Sequence, residues 1–198
     1  DIIRDYKRKN YNVIVVSSAM SGVTNDLIKK SKEISNNFSD AEYDVLVSSG
    51  EQVACSLIAG RLINNGLKSR SWLSWQIPIL TKGIHKNSRI TQINKNKIIK
   101  YLKQGGIPII TGFQGLNENE RITTIGRGGS DASAIMLAKY LKAQRCIIYT
   151  DVEGVYSTDP NKLRNAKKIK VISYEEMLEM ASLGAKVMQP VSIQDARL

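Results

Sequence analysis

The chain has 198 residues, 42% of them hydrophobic, and a formal net charge of +11. The length suits one large α/β domain or two small ones, and the composition indicates a globular rather than a disordered chain. No run approaches about 20 uninterrupted apolar residues, so no transmembrane helix is expected. Residues 1–10 are charged and do not resemble a signal peptide. Cys55 and Cys146 lie in apolar segments without a C-x-x-C spacing, which predicts reduced core residues of a cytoplasmic protein.

The positive charge raises the question of a nucleic-acid partner. The basic residues are scattered over the polar faces of predicted helices, and no stripe of them is interleaved with aromatic residues. This distribution favours solvated helix surfaces over nucleic-acid binding.

The first half of the chain begins with an apolar β-branched run at residues 13–16. Because this run does not alternate with polar residues, it predicts a strand buried on both faces. A helix is predicted from about Thr24 to Asn36, and another from about Ala41, interrupted at residues 48–50. The later predicted elements of this half are a helix from Glu51 to the Asn-Asn-Gly at 64–66, extended segments at 69–73 and 77–80, and a basic helix at 95–103.

The second half alternates strands with helices. It predicts, in order, a strand at 107–111, a turn at 117–120, a helix at 131–141, a buried strand at 146–150 and a helix opened by the capping box at 173–176. Such alternation predicts a three-layer α/β/α sandwich with a mostly parallel sheet, formed by residues 1–198 as a single domain.

Three polar or glycine-rich loops follow predicted strands, at residues 17–24, 112–130 and 151–159. Because ligands of open α/β sheets bind outside the carboxyl ends of the strands, these loops indicate the site of chemistry.

The loop at residues 123–131 reads Thr-Thr-Ile-Gly-Arg-Gly-Gly-Ser-Asp and leads into a helix. Glycines allow close approach of the backbone to a ligand, and the amides at a helix N-terminus favour an anion. Arg127 offers a planar group suited to a carboxylate, and Asp131 either caps the helix or orders a metal–phosphate site. Taken alone, the same residues also suit an ordinary glycine-rich turn.

Other candidate residues are equally open when considered singly. The segment at 149–160 suits either a nucleotide-binding loop or two consecutive turns. Glu51 either compensates a helix dipole or binds a ligand, and Lys186 alone suggests a solvated lysine. His85, the only histidine, has no partner pattern that would indicate classical nucleophilic catalysis.

The order and spacing of these segments change that balance. Over nearly the whole chain they resemble the aspartate kinases of the amino-acid kinase family. The matching segments are residues 15–25, 49–51, 112–115, 123–131, 150–160 and 175–186. The Thr-Asp-Val-x-Gly-Val-Tyr element is shared widely within the family, whereas Gly-Arg-Gly-Gly-Ser-Asp narrows the resemblance to aspartate kinases.

The resemblance implies transfer of the ATP γ-phosphoryl group to the β-carboxylate of L-aspartate, the first step towards lysine, threonine and methionine. It assigns substrate binding to Ser18, Thr24, Glu51, Arg127, Gly128, Gly129 and Ser130. It assigns ATP binding to Thr150, Asp151, Tyr156, Asp159 and Lys186. Asp131 and Lys186 would act in the phosphoryl-transfer step. Mg²⁺ would arrive with ATP, so no residue is assigned as a metal ligand.

The family also has an opening strand with a Lys-Phe-Gly-Gly-Thr-Ser loop, and regulatory domains after the catalytic one. Neither is found in this sequence, so we expect a fold incomplete at both ends and weak or absent turnover. The alternatives are a catalytically silent nucleotide-binding remnant, a fragment that joins a complementary chain or forms a homo-oligomer, and a kinase of glutamate or acetylglutamate.

Overall fold

The computed structural model of the chain describes residues 1–159, 162–163, 165–184 and 188–197. Lys186, assigned above to ATP binding and to the phosphoryl-transfer step, lies outside the described residues. Within them, no helix combines the length and the apolar composition that a bilayer crossing requires.

The elements alternate along the chain. The first half forms α1 (Ile2–Arg8), β1 (Val15–Ser17), α2 (Val23–Ile34), α3 (Asp40–Asn64), β2 (Ser69–Trp72), β3 (Ile79–Lys82) and β4 (Arg89–Ile93). The second half forms α4 (Asn96–Lys103), β5 (Ile107–Thr111), β6 (Gln114–Leu116), β7 (Ile122–Thr124), α5 (Gly129–Leu141), α6 (Tyr174–Ser182) and α7 (Pro190–Arg197).

A parallel sheet with the strand order β1-β5-β2 forms the middle layer. Its central strand, β5, is buried along its whole length. Ile107 and Ile109 pack against Cys55 of α3, whereas Ile110 packs with Met136 of α5 on the opposite face. Each such isoleucine contributes about 1.5–3 kcal/mol by burial. Helices therefore cover both faces of the sheet, which confirms the predicted α/β architecture with a parallel sheet.

A second sheet, ordered β4-β3-β6-β7, lies beside the first. Its β3–β4 and β6–β7 pairs are antiparallel, and its β3–β6 pair is parallel. The prediction of a mostly parallel arrangement therefore holds for the first sheet and misses these two antiparallel pairs. The hydroxyls of Thr81 and Thr123, 2.6 Å apart, form a buried hydrogen bond between β3 and β7. β7 then leads directly into the glycine-rich loop.

The predicted interruption of the long helix is wrong, because α3 runs without a break through residues 48–50. Ser48 and Ser49 instead donate hydrogen bonds from their hydroxyls to the carbonyls of Val45 and Leu46 in the preceding turn. Small polar residues that favour turns in isolation are accommodated here because their hydroxyls find acceptors within the helix.

The buried strand predicted at residues 146–150 is also absent. These residues form no strand, and Cys146 is exposed, which contradicts its prediction as a core residue. An apolar β-branched run becomes a strand only beside a neighbouring strand, and β1 pairs with β5 alone among the described residues. β1 itself is half-buried rather than covered on both faces. Cys55 is buried as predicted.

Candidate active site

The carboxyl ends of β1 and β5 bring two of the loops together. The backbone N–H of Gly112 donates to the carbonyl of Ser17 over 3.0 Å. A Cβ atom on Gly112 would lie 3.0 Å from the Cα of Ser130, so glycine allows the start of α5 to pack against the end of β5. The Ser130 hydroxyl donates to the Ser18 hydroxyl over 3.2 Å. Two residues assigned to substrate binding therefore meet at this edge.

The glycine-rich loop makes a tight turn immediately before α5. Gly128, the N-cap residue, has a φ of 73°, which a residue with a side chain adopts only with strain. The N–H of Gly129 donates to the carbonyl of Gly126 over 3.0 Å. Among the described residues no side chain caps α5, so the first-turn amides other than that of Gly129 remain donors for an anion. Arg127 is exposed on the same turn.

Two residues without an assigned role hold this turn in place. The Ser133 hydroxyl donates to the Gly129 carbonyl over 2.8 Å and accepts from the N–H of Phe113 over 3.0 Å. The carbonyl of Phe113 in turn accepts from the N–H of Ile125 over 2.9 Å. The glycine-rich turn is thereby attached to both the end of β5 and its own helix. A serine at this helical position carries no functional signal in the sequence alone.

Glu51 presents a buried carboxyl to the loop after β1. Glu51 is 3% exposed, and its Oε1 accepts a hydrogen bond from the N–H of Ala19 over 3.2 Å. Its Oε2 is buried without a hydrogen-bond partner among the described residues. Desolvation raises the pKa of Glu51 to about 7, against the opposing effect of the Ala19 N–H. A buried carboxylate requires a cationic partner or a proton, and the free oxygen leaves room for either.

Gly50 explains how Glu51 reaches that loop. A Cβ atom at Gly50 would lie 2.9 Å from the Cβ of Ala19 and 3.2 Å from the Cγ1 of Val23. Only glycine therefore lets α3 come this close to the loop and to the first turn of α2. Thr24, the next residue of α2, is half-buried in the same first turn.

Asp131 stands half-buried in the first turn of α5, where burial raises the pKa of its carboxyl above the usual value. Desolvation and then the charge of Asp131 raise the pKa of the Cys146 thiol. The segment that precedes the third loop therefore begins close to Asp131.

Four residues assigned to ATP lie in or directly before the third loop, at residues 151–159. Thr150 donates its hydroxyl to the carboxylate of Asp151 over 3.2 Å, and Tyr156 donates to Glu153 over 2.9 Å. The carbonyl of Asp159 accepts hydrogen bonds from two backbone N–H groups shortly after it. The structure thus gathers Ser18, Glu51 and residues 126–131 at the strand ends. The four described residues assigned to ATP lie in the polar segment 150–159.

An open parallel sheet with such loops at its strand ends is typical of α/β proteins that bind small anionic ligands at that edge. Within this class, the chain belongs to the amino acid kinase family, whose sequence profile matches residues 1–197.

The most similar relatives include aspartokinases of several bacteria. The Rickettsia felis aspartokinase is 50% identical over 196 residues, which cover 98% of this chain and 49% of that protein. The Geobacillus stearothermophilus aspartokinase is 48% identical over 190 residues, which cover 96% and 47%. The chain therefore spans about half the length of the curated relatives it matches.

Solved structures agree with this relationship. Aspartokinase III of E. coli in complex with aspartate and ADP matches with a TM-score of 0.84 and 27% identity, over 93% of this chain and 53% of that one. Aspartate kinase from Synechocystis matches with a TM-score of 0.85 and 36% identity, over 99% of this chain and 32% of that one.

Proposed function

We propose that the chain forms the aspartate site and much of the nucleotide site of an ATP-dependent aspartate kinase. In the proposed reaction the γ-phosphoryl group of ATP moves to the β-carboxylate of L-aspartate. We assign this cytoplasmic reaction to the start of the route to lysine, threonine and methionine. The similarity to aspartokinases over nearly the whole chain supports this assignment.

The single observation that carries the proposal is the buried carboxyl of Glu51, whose Oε2 has no hydrogen-bond partner within the described part of the chain. The ammonium group of an amino acid would supply the missing cationic partner. Because desolvation raises the pKa of Glu51 to about 7, the ammonium would also drive release of the proton near neutral pH. Glu51 thereby favours a substrate with a free amino group.

The other end of the substrate would meet the glycine-rich turn. Arg127 is exposed there and offers paired N–H donors to a carboxylate. Gly128, Gly129 and Ser130 lie at the N-terminus of α5, where the helix dipole favours negative charge. We propose that one carboxylate of aspartate binds Arg127, while Ser18 and Thr24 line the opposite side.

Phosphoryl transfer depends mainly on positioning and on neutralising charge. We propose that Asp131 orders the transfer region beside the α5 amides, and that Thr150, Asp151, Tyr156 and Asp159 line the nucleotide. The uncapped α5 N-terminus suits phosphate oxygens. Mg²⁺ would be bound by the ATP phosphates, which are the oxygen ligands that it prefers. We propose that Lys186, two residues after Gly184 in the sequence, contacts ATP during the transfer.

The test is calorimetric titration of the purified chain at pH 8 with L-aspartate, with and without MgADP. N-acetyl-L-aspartate is the matched control, because it keeps both carboxylates but has no ammonium group. We expect heat from aspartate and none from the acetylated compound, and weaker binding of L-glutamate. A hydroxamate assay with MgATP then measures formation of the acyl phosphate.

Repeating the titration between pH 8 and pH 5.5 checks the role of Glu51. Below its pKa of about 7 the carboxyl is protonated in the free protein, so the affinity for aspartate should fall by about tenfold per pH unit. Equal binding of aspartate and N-acetyl-aspartate would contradict the proposed orientation. Preference for N-acetyl-glutamate would instead support a kinase of that amino acid.

A further inference from the structure

We propose that Asp44 is a positioning residue that fixes the glycine-rich turn relative to Glu51, and so sets the distance between the two ends of the aspartate site. This inference rests on the function proposed above. It assigns a role to a buried carboxyl that the proposed chemistry does not use.

Asp44 holds the strand that leads into the turn. Its side chain is fully buried in the second turn of α3. The hydroxyl of Thr124 donates to its Oδ1 over 2.6 Å, within the buried interior. Thr124 is the last residue of β7 and stands two positions before Gly126. One side of the turn is therefore bonded directly to α3.

Asp44 also holds the loop between β3 and β4. The backbone N–H of Lys86 donates to both carboxylate oxygens over 3.1 Å, and the Nδ1 of His85 lies 2.6 Å from Oδ2. Lys86 has a φ of 67°, a conformation that a lysine rarely adopts. The contacts to Asp44 help to hold the backbone in this strained conformation.

The β3–β4 loop in turn packs against the glycine-rich turn. A Cβ atom on Gly126 would lie 3.0 Å from the Oδ1 of Asn87 and 3.2 Å from the carbonyl oxygen of Lys86. The N–H of Ser88 donates to the carbonyl of Thr124 over 3.0 Å. Asp44 therefore acts on Gly126 from both sides, through the end of β7 and through this loop.

The same helix carries the proposed ammonium-binding carboxyl. Asp44 and Glu51 are seven residues apart, about two helical turns, and both are buried on one side of α3. Since an α-helix is rigid over two turns, Asp44 transmits the position of Glu51 to the turn that bears Arg127. The distance between Glu51 and Arg127 would then match the distance between the ammonium group and the carboxylate of the substrate.

Other contacts of the β3–β4 loop with α3 are exposed and so contribute less. Lys86 pairs with Asp40 at the surface, and its ammonium lies 4.5 Å from the ring centre of Tyr43. Exposed ion pairs contribute little to stability, because water and salt screen their charges. Glu42, also in the first turn of α3, forms an exposed ion pair with Arg121, the residue before β7. Neither residue belongs to the β3–β4 loop or to the glycine-rich turn. This ion pair provides a matched control.

The experiment compares Asp44→Asn and Thr124→Val with the control Glu42→Gln, in the full chain. Asparagine keeps the shape of Asp44 but cannot accept hydrogen bonds at its amide nitrogen, and valine replaces the Thr124 hydroxyl with a methyl group. Hydrogen exchange is measured first, without ligand. We expect exchange of residues 123–131 to accelerate about tenfold, corresponding to about 1.4 kcal/mol, while residues 107–111 keep their protection.

Titration with L-aspartate and with MgADP is the second readout. We expect both site variants to raise the Kd for aspartate about tenfold and to leave the Kd for MgADP within twofold, with Glu42→Gln unchanged in both. If Asp44→Asn does not fold, Thr124→Val decides. Uniform loss of protection across the sheet, or equal loss of both affinities, would overturn the positioning role. Absence of aspartate binding by the unmodified chain would contradict the proposed function, and the exchange measurement would still decide on Asp44.

Discussion

The strand-end site and the polar loop that follows it are built in different ways. At the strand ends, hydrogen bonds join residues far apart in sequence: Ala19 bonds Glu51 over 32 positions, and Ser130 bonds Ser18 over 112. In the polar loop, Thr150 bonds its neighbour and Tyr156 bonds a residue three positions away. The fold therefore predetermines the geometry of the first region, whereas the second, which we propose to bind the nucleotide, has mostly local contacts.

The largest effect that separates the two regions is expected from Glu51→Gln. Loss of the charge that would pair with the ammonium should raise the Kd for aspartate by about 100-fold, as for one partner of a buried ion pair, with little change for MgADP. Isothermal titration of both ligands measures this difference. A parallel loss of MgADP affinity would show that the two regions are not independent.

The same variant should be more stable than the unmodified chain. Folding raises the pKa of Glu51 from its usual 4.5 to about 7, so the folded state binds the proton more tightly and stability falls as pH rises between these values. Glutamine removes this penalty, which amounts to on the order of 3 kcal/mol above pH 7. Urea unfolding at pH 8 and pH 4 should show the gain at pH 8 only.

The next effect is expected from Arg127→Ala. Because Arg127 is exposed and offers a charged pair of donors, its removal should raise the Kd for aspartate about 30-fold, or about 2 kcal/mol, without changing the melting temperature. Arg127→Lys keeps the charge but loses the planar pair of N–H donors, and should recover only part of the affinity. Full affinity in Arg127→Ala would remove this residue from the site.

A smaller effect on stability is expected from Gly50→Ala, because its new Cβ would lie 2.9 Å from that of Ala19. Overpacking at this contact should lower the free energy of unfolding by about 1–3 kcal/mol and weaken aspartate binding. Gly60→Ala is the control in the same helix, where a Cβ meets nothing within 4 Å. It should stabilise by about 0.5–1 kcal/mol, and urea unfolding compares the two.

The smallest effect is expected in the polar loop. If the ring of Tyr156 stacks on the adenine, as we propose, Tyr156→Ala should weaken MgADP binding about fivefold. Aspartate binding should stay unchanged, and the free energy of unfolding should change by less than about 0.5 kcal/mol. Tyr156→Phe retains the ring and should bind MgADP nearly as well. Fluorescence titration with a labelled ADP analogue measures both variants.

Elements with strong local signals were predictable from sequence. The strand at 107–111 and the helix near 95–103 are confirmed, and Ser173 and Glu176 form the predicted capping box. The strand at 146–150 was not, because an apolar run does not reveal whether a neighbouring strand exists. The unbroken α3 was missed for the converse reason: Ser48 and Ser49 favour turns locally, and their acceptors appear only once the helix has formed.

The residues of the candidate site could be predicted from sequence motifs, but the residues that hold them in place could not. Ser18, Glu51 and Ser130 are brought to one edge by glycines whose spacing the sequence displays. The contact of Asp44 with His85, 41 positions away, depends on the tertiary fold, and a lone histidine gave no hint of it.

The length of α3 carries a consequence for how this sequence can diverge. Substitutions along the helix alter one contact at a time. Insertion or deletion of one residue between Asp44 and Glu51, however, would rotate one carboxyl by about 100° relative to the other. Either the carboxyl of Asp44, which holds the β3–β4 loop, or that of Glu51, which we propose to bind the substrate, would then turn away from its partners. Homologous chains should therefore tolerate replacement within this interval far better than any change in its length.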